Sequence, residues 1–125
     1  MTPPVWMNAV IGDFGRAAGL GKLALNERGA AVLRFENGTS LRLEYTGAEL
    51  VVAMTVPSAD VKRILSLSHP KARYGFRIRA GIIPKTRESV IAVRFAERDV
   101  TLPRVSGVFE LLWRLAGEIG GAAWA

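Results

Sequence analysis

The spacing of apolar residues changes repeatedly along this chain, and the order of those changes constrains the fold more than any other feature. Apolar residues recur at helical spacing near both ends and in one short central segment, and at every second position in between. This pattern predicts the order α-β-β-β-α-β-β-α. A chain of 125 residues is the size of one domain. We therefore expect residues 1–125 to form a single α+β domain, with helices packed on a twisted, antiparallel, five-stranded sheet.

Local signals predict the first helix and the first hairpin. Pro3 and Pro4 suit a helix start, because the amides of the first turn have no partner within the helix. One apolar stripe at helical spacing follows: Trp6, Val10, Phe14 and Ala17. Asn37-Gly38 separates two alternating segments, so it predicts a β-hairpin with a type I′ turn.

The middle of the chain predicts a central strand, a short helix and a two-faced strand. Residues 50–56 are apolar at both alternating sets of positions, which indicates a strand that is central or covered on both sides. Ser58 is the expected N-cap of the short helix that follows. The fourth strand is expected over residues 73–80, with aromatic and aliphatic side chains on one face and arginines on the other.

The positive charge is concentrated in one segment. The chain has a net charge of +6, and residues 61–87 contain eight lysines and arginines but no aspartate or glutamate. The rest of the chain contains nine basic and eleven acidic residues. This asymmetry suggests a partner of opposite charge at the face that the segment forms.

Few groups in the chain could perform chemistry. It has no cysteine and one histidine, His69, which excludes a thiolate or multi-histidine metal site. Glu97 and Asp99 are close in sequence, but nothing indicates a cleft where they converge, and Asp99 is better explained as a cap of the last helix. We therefore predict a protein that is not an enzyme and has no cofactor and no metal.

The sequence also favours a cytoplasmic protein without a membrane partner. No apolar run approaches the roughly 18 residues that a membrane-spanning helix needs. The first residues lack the positively charged start of a signal peptide, since the first basic residue is Arg16.

Two classes of binding partner remain. Surplus apolar surface on the helices and the third strand favours a dimer interface or a protein-binding groove. The alternative is a small nucleic-acid-binding module that uses residues 61–87. Nucleic acid is the less favoured partner, because the predicted fourth strand separates its arginines from its aromatic residues, whereas nucleic-acid-binding sheets combine them on one exposed face.

Two segments resemble class I type III secretion chaperones of the CesT/SycE-like superfamily. In residues 11–38, Phe14 precedes Gly19-Leu20, an aliphatic segment and the first hairpin, as at the start of that family. Residues 79–119 are similar to the end of the SycN-type chaperones, and residues 46–72 match only in pattern. The similar positions near the end include Arg79-Ala80-Gly81, Glu97-Arg98, Thr101-Leu102-Pro103, Phe109, Leu112, Arg114-Leu115 and Glu118.

The resemblance implies the fold order given above and a role in protein secretion. Chaperones of this kind bind the N-terminal region of a secreted gatekeeper or effector (YopN-like), and SycN-type members pair with a second small chaperone (YscB-like). The cargo wraps the dimer as an extended chain, adding strand-like segments and placing apolar side chains in surface patches. Members are usually acidic, whereas this chain is basic. We therefore expect an acidic second chaperone and favour a heterodimer over a homodimer.

The resemblance also implies which residues make the contacts. The dimer interface is expected on the second helix and fourth strand: Val61, Ile64, Leu65, Arg73, Tyr74, Phe76, Arg77, Ile78 and Arg79. The three arginines would supply electrostatic pairing. The expected cargo contacts are Trp6, Val10, Leu23, Leu25 and Leu41.

Overall fold

The computed structural model describes residues 2–58, 60–67 and 77–120, and these form the expected order of elements. The helices are α1 (Val5–Ala17), α2 (Val61–Leu67) and α3 (Leu102–Gly120). The strands are β1 (Ala30–Arg34), β2 (Ser40–Tyr45), β3 (Glu49–Val56), β4 (Ile78–Ile83) and β5 (Glu88–Ala96). A 3₁₀ turn at Glu97–Asp99 leads into α3. The predicted α-β-β-β-α-β-β-α fold is confirmed.

The sheet is antiparallel, with the strand order β1-β2-β3-β5-β4. The expectation that the third strand is central is confirmed, and β1 and β4 are the two edges. Of the two alternatives predicted for this strand, central or covered on both sides, the structure shows the first. Leu50, Val52 and Met54 are buried on the inner face, whereas Val51 and Ala53, on the outer face, stay partly exposed.

The core lies between the inner face of the sheet and the helices. On α3 the apolar residues at helical spacing form the buried face: Val105, Val108, Leu112, Leu115, Ala116 and Ile119 are buried, and Phe109 is partly buried against them. On α1 the buried face is Met7, Ile11 and Phe14, so it includes only one residue of the predicted stripe. The predicted stripe and the buried face are neighbouring faces of the same helix, and packing against α3 selects between them.

Three local predictions need correction, each because a different polar group satisfies the backbone. In the Asn37-Gly38 turn only Gly38 has a positive φ (88°), so the turn is not type I′. The Asn37 Oδ1 atom accepts a hydrogen bond from the Thr39 N–H at 3.0 Å. The α2 cap is Asp60, not Ser58, because the Arg63 N–H donates to Asp60 Oδ1. At the start of α3, the Arg104 N–H donates to the Thr101 hydroxyl, so Thr101 takes the capping place predicted for Asp99.

The fourth strand, predicted over residues 73–80, is described from Ile78 and continues to Ile83, three residues beyond the predicted end. The predicted positions 73–76 lie outside the described residues. The hairpin to β5 is closed by a loop of residues 84–87, in which the Arg87 N–H donates to the Ile83 carbonyl at 2.8 Å. Of the residues singled out in the sequence, His69, Arg73, Tyr74 and Phe76 lie outside the described residues.

Candidate functional site

The described part of the chain contains no cluster of three or more histidine, cysteine or carboxylate residues that could hold a metal ion. The carboxylate of Glu97 has a structural partner instead, since the Tyr45 hydroxyl lies 3.1 Å from Glu97 Oε1 and 3.1 Å from the Gly47 carbonyl. Burial raises the pKa of Tyr45, and the hydrogen bond and the charge of Glu97 raise it further. This corner ties the β2–β3 turn to the 3₁₀ turn.

The α2 surface is the first surface that could hold a partner. Asp60 starts the helix, and Ile64 and Leu67 turn towards the core, where they are buried. Val61 and Leu65 lie one turn apart on a different face, and they are 54% and 67% exposed. Single exposed apolar residues are ordinary, but two that adjoin on one short helix form a small apolar patch.

The α2 helix packs against β4, whose free edge is basic. Arg77 and Arg79 are exposed, and neither makes an ion pair with another described residue. Ile78 faces inward and packs against the core. By contrast, Arg63 of α2 pairs with Glu118 of α3, which holds α2 against the helical layer. The two unpaired arginines therefore remain available to a partner.

The second surface runs along α1 and the neighbouring part of α3. Trp6 is 44% exposed and Val10 is partly buried at the rim of the core. Near the end of the same stripe, an open cleft of about 320 Å³ is lined by Phe14, Ala17, Ala18, Ser106, Phe109 and Glu110. The rings of Phe14 and Phe109 form its floor, with their centroids 5.4 Å apart in an edge-to-face arrangement.

The structure adds an aromatic row that the sequence did not assign to this surface. Phe109 and Trp113 lie one turn apart on α3, with ring centroids at 5.8 Å, and Phe35, directly after β1, contacts Trp113 at 4.9 Å. All three are only partly buried. The aromatic i, i+4 spacing on α3 was visible in the sequence, but the contact with the end of an edge strand depends on tertiary structure.

Several residues predicted to make contacts are buried. Leu23 and Leu25 belong to the core cluster, and Leu41 is only 1% exposed because it faces inward on β2. Ile64, predicted for the dimer interface, is buried beneath α2. These four side chains belong to the core of this chain and offer almost no surface to a partner here.

No helix in the described residues is both long and apolar enough to cross a bilayer. The molecule is thus a small α+β protein whose exposed features are apolar and basic surfaces. Its fold is that of the type III secretion chaperones. The family model for the type III secretory system chaperone SycN matches residues 6–120. The chain therefore belongs to this family.

Solved structures agree with this fold at low sequence identity. The chain is 15% identical to the Yersinia pestis type III secretion chaperone SycH, in a complex with a fragment of YscM2; the TM-score is 0.70, and the match covers 90% of this chain and 98% of that one. The ExsC–ExsE complex contains a chain with 18% identity, a TM-score of 0.76 and coverage of 96% and 95%. The ExoT–SpcS complex from Pseudomonas aeruginosa contains a chain with 13% identity and a TM-score of 0.71, and the match covers 94% of this chain and 99% of that one. Among curated proteins, no sequence matches this chain.

Proposed function

We propose that this chain is a non-enzymatic cytoplasmic secretion chaperone that holds the N-terminal region of a secreted gatekeeper or effector. It does so as one half of a heterodimer with a second small chaperone. The observation that carries the proposal is the exposed pair Val61 and Leu65 beside the basic edge of β4, in a chain of the SycN family. The similar structures are complexes of two different proteins, and one of them is the secretion chaperone SycH with a fragment of YscM2, which supports a binding role.

The charge of the α2 and β4 surface favours an unlike partner. Two copies of this chain would bring Arg77 and Arg79 of one towards the same residues of the other, and like charges in an interface oppose association. An acidic second chaperone of the YscB-like kind removes this repulsion. Its apolar residues would cover Val61 and Leu65, and its carboxylates would pair with the arginines.

The α1 and α3 surface is the proposed cargo site. Trp6 and Val10 offer apolar contacts along α1, and the aromatic row lies at the end of β1. Because β1 is an edge strand, an extended cargo segment can add to it through main-chain hydrogen bonds and place its side chains against the aromatic row. The cargo residues retained from the sequence prediction are therefore Trp6 and Val10.

The experiment is a pull-down of the tagged full chain from its native cells, after nuclease treatment, with the retained proteins identified by mass. We expect one small acidic protein and one larger protein, in amounts equal to the tagged chain. Recovery of the chain alone would contradict the heterodimer. Recovery of nucleic acid only, before nuclease treatment, would favour the basic segment as a nucleic-acid site.

Paired variants then separate the two surfaces. Leu65→Asp should release the small protein, whereas Ser66→Asp, an equal charge change at the next exposed position of α2, should retain it. Trp6→Asp should release the larger protein, whereas Val5→Asp, at an exposed position about 100° away around α1, should retain it. If a test variant and its control retained the same proteins, the assignment of that surface would be wrong.

A further inference from the structure

At two positions in the hairpin of β4 and β5, a different amino acid would make the hairpin more stable. One is Arg87, in the loop of residues 84–87, and the other is Gly81, inside β4. Each departure is explained if the outer face of this hairpin contacts another molecule, because local strain and open backbone are features of functional sites.

Arg87 occupies a backbone conformation that favours glycine. Its φ is 59°, and it is the only non-glycine residue with a positive φ in the described ranges. The other positions with positive φ, such as Gly29 and Gly47, are glycines. A side chain with a Cβ atom is strained in this region. The loop keeps an arginine there, and its side chain is exposed.

Gly81 is the opposite case, a glycine at a position that a side chain would fit. It lies inside β4, paired with Val90 of β5, and its φ is not positive. A Cβ atom at Gly81 would meet nothing within 4 Å. A β-branched residue would therefore strengthen the strand. The glycine leaves an open strip of backbone on the outer face, where another backbone can approach closely.

Gly81 lies on the outer side of β4, and Arg87 lies in the exposed loop at the end of this strand. Ile78, Ala80 and Ile82 pack against the core, so Arg79, Gly81 and Ile83 face outward by alternation. Ile83 is 37% exposed, and Lys85 and Arg87 follow it in the exposed loop. None of the three cations pairs with a described acidic residue. The outer side of β4 thus presents a cation, an open backbone and an apolar side chain, and the exposed loop at its end adds two more cations.

We propose that this surface, the hairpin face (Arg79, Gly81, Ile83, Lys85 and Arg87), receives an extended acidic segment of the second small chaperone. The segment crosses the sheet over Gly81, packs an apolar side chain on Ile83 and directs carboxylates to Arg79 and Arg87. The inference rests on the proposed function, and it extends the partner surface along β4, from Arg79, which already belongs to that surface, to Gly81, Ile83 and the loop that follows. Charge complementarity specifies the acidic character of the segment.

The first test measures stability and binding together in the full chain. The probe is a fluorescent peptide of five Glu-Ser repeats, with a Lys-Ser peptide of equal length as its control. Urea unfolding should show a higher midpoint for Arg87→Gly, because glycine relieves the strain. Fluorescence polarisation in low salt should show about threefold weaker binding of the acidic peptide, the effect of one lost surface ion pair. Arg28→Gln, an equal charge loss in a distant exposed turn, should leave binding unchanged.

The second test blocks the open backbone. Gly81→Val should unfold at the same or a higher urea concentration and bind the acidic peptide more than threefold more weakly. The matched control is Ser40→Val, which adds bulk to the same face of the sheet on β2 and should bind as the wild type does.

The possible outcomes separate this inference from the proposed function. The inference is overturned if Arg87→Gly is not more stable, if it binds the acidic peptide as well as the wild type, or if Gly81→Val has no effect on binding. Absence of the small acidic protein from the pull-down, together with the expected peptide results, would reject the heterodimer while leaving the hairpin face as an acidic-segment site.

Discussion

At the residue scale, Gly15 allows α1 to approach the segment that follows it. A Cβ atom at this position would lie 2.7 Å from Leu23 Cβ and 2.9 Å from the Gly21 carbonyl oxygen. Because that carbonyl is backbone, the segment would have to move. We expect Gly15→Ala to lower the free energy of unfolding by about 1–3 kcal/mol, as for other overpacked sites.

The control for this prediction lies one turn earlier in the same helix. At Gly12 an added Cβ would have its nearest neighbours at 3.8 Å, which is ordinary contact. Gly12→Ala should therefore raise the free energy of unfolding by about 0.5–1 kcal/mol through helix propensity alone. Urea unfolding of both variants checks the pair, and a shift of the same sign in both would contradict the steric argument.

Tyr45 gives a prediction about alkaline pH. Burial and the Glu97 carboxylate raise the pKa of Tyr45 in the folded chain, so the folded state holds this proton more tightly than the unfolded state does. The resulting stabilisation is complete below the ordinary tyrosine pKa, about 10, and is lost as the pH rises through the folded value. We expect the advantage of the wild type over Tyr45→Phe in urea unfolding to shrink above that pH. A difference that stays constant or grows would refute this.

At the element scale, the short α2 helix depends on its cap. Because seven residues form a marginal helix, the hydrogen bond from the Arg63 N–H to Asp60 Oδ1 should matter to its persistence. We expect Asp60→Ala to cost about 1 kcal/mol and to speed amide hydrogen exchange in α2. Ser58→Ala should have little effect, because Ser58 contributes its backbone carbonyl, as acceptor for the Ser89 hydroxyl. Equal effects of the two substitutions would contradict the assignment of the cap.

The elements themselves were largely predictable, because their periodicity is strong. Alternation along β2 and the apolar stripe of α3 match the buried faces directly. On α1, apolar residues occupy two neighbouring faces, so spacing alone could not distinguish the Met7 and Ile11 face from the Trp6 and Val10 face. Contact with α3 decides which face is buried.

The candidate site was less predictable, because exposure depends on what covers each face. Val61 and Leu65 are exposed, as a dimer contact requires, whereas Leu41, which was predicted as a cargo contact, is buried. Of the hairpin face, the sequence predicted Arg79 as a partner contact and the positive charge of residues 61–87, but not the roles of Gly81 and Ile83. Its signals are a φ value at Arg87 and open space at Gly81, which a sequence does not contain.

At the scale of the whole molecule, charge and apolar surface coincide. The described cations of residues 61–87 lie on α2, β4 and the following loop, next to the exposed Val61 and Leu65. Apolar contact therefore favours self-association at this surface, and charge repulsion opposes it. The balance depends on salt, because the screening length falls from about 10 Å at 0.1 M to about 3 Å at 1 M salt.

This balance predicts how the isolated chain behaves. At low micromolar concentration in 0.1 M NaCl we expect sedimentation velocity to show a monomer, and in 1 M NaCl a growing fraction of dimer, since salt screens the arginines while apolar contact persists. Leu65→Asp should remain monomeric at both salt concentrations, whereas Ser66→Asp should follow the wild type. A stable homodimer whose population is the same in both buffers would show that the basic surface does not oppose self-association. The charge argument for an acidic partner would then fail, because the chain would already satisfy its own interface.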